Sequence, residues 1–147
     1  MSVGLDTLSL LFYVLLLAWF TLDLIGIRRL VTRDPWRSSS GLLEMILVII
    51  LGCYLGQWDY VVFPSLITLG IWGYLQYTSH WRYLLFGAPE ARLKRYSAWF
   101  GRMYRFFPES HHRVVPDAYH TILGLLLSAN LLLVTIQALV FVRERTG

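Results

Sequence analysis

Four apolar runs, separated by connectors of very unequal charge, constrain this chain more than any motif in it. Of its 13 Lys and Arg, Arg28, Arg29, Arg33 and Arg37 fall in the first connector, and Arg82, Arg92, Lys94, Arg95, Arg102, Arg105 and Arg113 in the third. The short connector at 57–59 and the N-terminus hold none, and the tail holds only Arg143 and Arg145. Basic loops stay on the cytoplasmic side of a membrane, so the two cationic connectors belong on one face. The pattern predicts an all-α, integral membrane four-helix bundle, one domain over 1–147, with both termini outside and the basic loops cytoplasmic. A bacterial inner membrane is the default compartment.

Composition agrees with that class. Hydrophobic residues make up 56% of the chain, whereas soluble domains reach roughly 45–50% by a looser count that includes Gly. The net charge of +4 would suggest nucleic acid in a soluble protein. Here the cations border apolar runs, and topology together with anionic headgroups accounts for them, so no nucleic-acid partner is expected. The single cysteine, Cys53, excludes an intramolecular disulfide and reads as a small packing residue.

The spans are expected at 8–27, 42–57, 60–78 and 118–142. The first is about 20 residues, or ~30 Å as a helix, which matches the hydrocarbon thickness. No cationic region or small-residue cleavage site accompanies it, so it is expected to stay in the mature protein. Pro64 falls in the first turns of the third span, where a missing N–H costs little. Trp36, Trp58 and Trp81 mark interfaces, while Trp19 and Trp72 are expected to pack between helices.

The long third connector is aromatic as well as basic. Advancing 100° per residue over 90–107 places Leu93, Tyr96, Phe100, Met103, Tyr104 and Phe107 on one arc and Lys94, Arg95, Arg102 and Arg105 opposite. This is the pattern of an interfacial amphipathic helix between helices 3 and 4, bounded by Pro89 and Pro108, with its apolar face toward acyl chains. Lys94, Arg95, Arg102 and Arg105, with Trp99, Phe100 and Met103, are the expected lipid- or partner-binding residues. Each cation near an anionic leaflet contributes about 1 kcal/mol.

All four histidines fall near one membrane face. His80 follows the third run, His120 begins the fourth, and His111 and His112 lie between them. Imidazole serves a metal, a b-haem or a proton-coupled quinone, which makes a redox subunit the alternative to an assembly protein. No cofactor is predicted outright, because these histidines sit at the boundary and lack zinc spacing. Interfacial histidines more commonly bond lipid phosphate or loop carbonyls.

Polar residues within the runs are the remaining candidates. Asp23 and Glu44 are expected to pair with Arg28, Arg29 or Arg37; Asn130 and Gln137, near mid-bilayer, are expected to bond across helices. An oligomeric channel lined by Glu44, Asn130 or Gln137 is a further alternative. Gly52 with Gly56, Gly70 with Gly73, and Gly124 with Ser128 mark close helix approaches, two of them expected inside the bundle and one left for a partner. Nucleophile-elbow, P-loop, dinucleotide and zincin motifs are absent. The expected function is therefore a small non-catalytic membrane subunit or scaffold, a homo-oligomer or part of a larger complex, that contacts anionic lipid.

Overall fold

The computed structural model describes residues 3–25, 39–101 and 103–147. They are overwhelmingly helical, with no strand among them: α1 (Val3–Ile25), α2 (Ser39–Leu55), a 3-10 turn (Asp59–Val61), α3 (Val62–Gln76), a π turn (Tyr77–Trp81), α4 (Arg82–Phe86), α5 (Glu90–Phe100) and α6 (Ala118–Thr146). α1 over Gly4–Leu22 and α6 are long and apolar enough to cross a membrane, and α2 carries a shorter apolar stretch, Leu42–Leu55. Arg28, Arg29, Arg33, Arg37 and Arg102, and the side chains of Asp23 and Trp99, lie outside the described part.

α6 packs against α1 and α3, and α2 packs against those same two helices from the other side. Leu16, Leu47, Leu69 and Leu127 meet in the shared core, and the Phe20 ring points edge-on at Trp72 with centroids 4.9 Å apart. Trp19 is half-buried and donates from Nε1 to the Tyr119 carbonyl at 3.2 Å. Both deep tryptophans therefore pack between helices, as their positions suggested.

Helix limits differ from the expected ones for local reasons. α2 stops at Leu55, not 57, in a Schellman arrangement: Gln57 N–H donates to Tyr54 O and Trp58 N–H to Cys53 O. Gln57, not a glycine, occupies the left-handed position at φ 57°. The third run continues beyond 78 through the π turn into α4.

The helix expected over 90–107 ends at Phe100. Past it, Met103 N–H and the Arg105 guanidinium both turn back to the Phe100 carbonyl. A helix running to 107 would aim the Tyr104 carbonyl at Pro108, which has no N–H. The chain instead offers that carbonyl to the Ala118 N–H at 2.8 Å, tying the connector to the start of α6.

Beside its hydrophobic core the fold buries several polar side chains and leaves large aliphatic ones exposed. Asn130 and Gln137 are each 1% exposed, whereas Ile49, Ile67, Leu132 and Leu139 are more than 60% exposed. The buried amides are bonded across helices. Asn130 Nδ2 donates to Phe12 O at 3.0 Å, and Gln137 donates to Asp6 Oδ1 while accepting from the Tyr54 hydroxyl, both at 2.9 Å. Thr21 donates to Glu44 at 3.3 Å. The expected arginine partners of Glu44 and Asp23 lie outside the described residues.

The three glycine seams separate sharply. A Cβ on Gly52, Gly70 or Gly73 would meet nothing within 4 Å, and one on Gly56 would meet only carbonyls of its own helix. Gly124 differs: its Cβ would fall 2.6 Å from Trp81 Nε1, because the indole sits directly against the α6 backbone there. Ser128 donates to its own helix, at Gly124 O. One seam is thus used internally, not two, and it receives an aromatic ring instead of another small residue.

Candidate functional site

A buried group of ring and carboxylate side chains occupies the end of the molecule where the π turn, α5 and the start of α6 meet. The π turn inserts an extra residue into the α3 ladder, and Thr78 donates its hydroxyl to the Tyr74 and Leu75 carbonyls within that stretch. Such turns recur at functional sites because they re-aim a side chain. Here the re-aimed residue is His80, only 8% exposed in a helix whose neighbouring Tyr77 is open.

His80 and His120 stack face to face, with centroids 4.0 Å apart and planes 29° from parallel. Asp117, fully buried, organises the second ring. Its Oδ1 accepts from the His120 backbone N–H at 3.0 Å as the N-cap of α6, and its Oδ2 accepts from His120 Nδ1 at 2.7 Å. Tyr96 of α5 reaches His80 Nδ1 at 3.3 Å, donating its hydroxyl in the tautomer that keeps the ring proton on Nε2. Phe100 closes the group, its ring edge-on to His120 at 5.2 Å.

Burial holds the His80 pKa well below the usual imidazole range, helped by the neighbouring His120 and Arg92. Burial likewise raises the Tyr96 hydroxyl, with the Asp117 carboxylate adding to the effect. Two imidazolium rings in this stack would repel at short range, and a carboxylate faces only His120.

A pH prediction follows. His80 is neutral in the fold, and an unfolded histidine titrates near 6.5, so the unfolded chain binds more protons as pH falls. Stability from this packing is complete above that value and declines below it. Amide exchange across α5, corrected for intrinsic rates, is expected to accelerate as pH falls below about 6.5, and His80→Phe should flatten the trend. An equally steep trend in His80→Phe would assign it to another group.

The histidines thus divide. His80 and His120 come together, while His111 and His112 are exposed on the connector, where the His112 carbonyl accepts from Ala88 N–H. The three-imidazole set is not assembled, and no group of three or more metal-ligating side chains occurs among the described residues.

The α5 residues divide too. Tyr96 is buried toward His80 and Leu93 half-buried, so the apolar face covers the histidine group instead of standing free toward acyl chains. Lys94 is exposed and pairs with Glu90 at 2.7 Å, while Arg95 is exposed. Arg105 is largely buried and bonded to Glu109, and Met103 and Phe100 are half-buried.

Sequence reasoning missed Asp117 as an organiser and Tyr96 as an inward group. The Pro116-Asp117 pair ahead of the last apolar run is an N-cap signal, and the cap lies three residues from His120, which would have joined the two. No family model, curated protein or solved structure matches the chain.

Proposed function

We propose that the protein is a small, non-catalytic integral membrane subunit or scaffold that assembles with partner membrane proteins or with itself and rests on anionic lipid through the α5 segment. α1, α2, α3 and α6 are its membrane-crossing bundle. The single observation that carries this is the exposed surface of large aliphatic side chains around an interior that also holds bonded amides, a surface that lipid or another membrane protein satisfies and water does not. Two ends of the bundle support the orientation. The start of α1, the 57–59 turn and the end of α6 meet at one, where Arg145 reaches Tyr60 and Asp59. Exposed Lys94 and Arg95 lie at the other. The open Gly52 and Gly56 side of α2 supports a helical partner there.

The experiment combines extraction with labelling. The full chain should stay in the membrane pellet at alkaline carbonate. In a Cys53→Ala background, Gln57→Cys should react with an impermeant maleimide added to intact cells, and Arg95→Cys only after permeabilisation. Release by carbonate, or labelling of both positions from one side, would end this reading.

A further inference from the structure

Between the π turn and α5 opens a recess of about 240 Å³ lined by Ser79, His80, Arg92, Arg95, Tyr96 and Phe100. It contains two guanidinium groups and no carboxylate. Arg92 donates from Nη2 to the Ser79 carbonyl at 3.0 Å and lies over the Tyr83 ring at 5.0 Å, which fixes its head, yet its buried Nε has no partner. Neither Arg92 nor Arg95 is ion-paired to a described carboxylate, although Glu90 and Glu109 are close in sequence; those two are taken by Lys94 and Arg105. His80 Nδ1 is engaged by Tyr96, while Nε2 makes no hydrogen bond to the described protein.

A fixed guanidinium, a second beside it and an imidazole N–H, with no acid among the lining residues, form a site for a tetrahedral oxyanion. We propose that this recess binds the headgroup phosphate of an anionic lipid, with Arg92 and Arg95 supplying the charge and His80 the neutral donor. This rests on the membrane reading above and adds to it a defined chemical ligand. The level fits a lipid source, because the recess begins directly where α3 ends, at the same end as exposed Lys94 and Arg95.

The test uses the full chain in dodecyl maltoside with equimolar phosphatidylglycerol and phosphatidylcholine, read by native mass spectrometry. Wild type and Arg143→Gln, which removes an exposed cation at the opposite end of the bundle, should retain phosphatidylglycerol in preference to phosphatidylcholine. The Arg92→Gln/Arg95→Gln protein should lose roughly tenfold or more of that retention, as expected for lost charge-assisted bonds. Arg95→Gln alone, at an exposed position, keeps the test informative if the double variant folds poorly, and should lose part of it. Equal retention of the two lipids by wild type, or undiminished preference in both variants, overturns the site.

Inorganic phosphate at millimolar concentration distinguishes the sources. Displacement of the lipid shows that the phosphate group alone is read, and persistence shows that the glycerol portion contributes. Phosphate binding without lipid retention overturns the lipid assignment. Carbonate release would sink the membrane reading itself, whereas a membrane-resident protein without lipid preference sinks only this site.

Discussion

Asp117→Ala is expected to destabilise the protein by about 1–3 kcal/mol, the range for losing a helix cap and leaving a buried donor without its acceptor. The carboxylate is fully buried and makes two contacts with one residue, the His120 backbone N–H and the His120 ring. The cap alone is worth about 0.5–2 kcal/mol; the two contributions share a residue, so they do not add. Alanine also leaves the His120 Nδ1 without an acceptor beneath the stacked His80. Asp117→Asn separates the contributions, because its amide oxygen still accepts from the backbone N–H while the charge is gone. Reversible unfolding in mixed micelles on titrating sodium dodecyl sulfate should order the midpoints wild type, Asp117→Asn, Asp117→Ala. Indistinguishable midpoints for all three would show that the pair contributes nothing.

Gly124→Val should cost about 1–3 kcal/mol through overpacking, with the expected site of damage at the contact between the π turn and α6. Even a Cβ would fall 2.6 Å from Trp81 Nε1 and 2.7 Å from Cζ2 of the same indole. The indole must move, and it belongs to the turn that presents His80. A Gly70→Ala control meets open space, so its effect should stay within the few tenths to ~1 kcal/mol that helix propensity supplies, in the stabilising direction. Trp81→Phe combined with Gly124→Ala should recover much of what Gly124→Ala loses alone, since the smaller ring vacates the space. The same unfolding titration reads all of these, and equal losses at Gly70 and Gly124 would contradict the contact.

The Trp81–Gly124 contact also shows where sequence patterns stop. Gly124 and Ser128 have the spacing of a helix-to-helix seam, which says that something comes close to α6 but not what. The partner is an indole 43 residues earlier in the chain, delivered by a π turn that periodicity at 3.6 residues per turn cannot foresee. α5 tells the same story from another side. Its apolar arc was legible, yet an arc cannot say whether it faces lipid or its own protein, and Tyr96 turns out to face His80. Its C-terminal limit was misplaced because the periodic pattern continues through Phe107, while the backbone hydrogen bonds do not.

What the chain determined by itself is its helical character, the approximate position of the apolar segments and the clustering of cations between them. Those depend on side-chain hydrophobicity and charge summed over short windows, and neighbours along the chain are enough to state them. Tertiary structure alone decided that His80 and His120 meet while His111 and His112 do not, that Asp117 serves the meeting pair, and that Arg92 and Arg95 stand without acids around one recess. Those depend on the rotation of each helix about its axis and on where α5 docks, quantities set by packing between segments far apart in sequence.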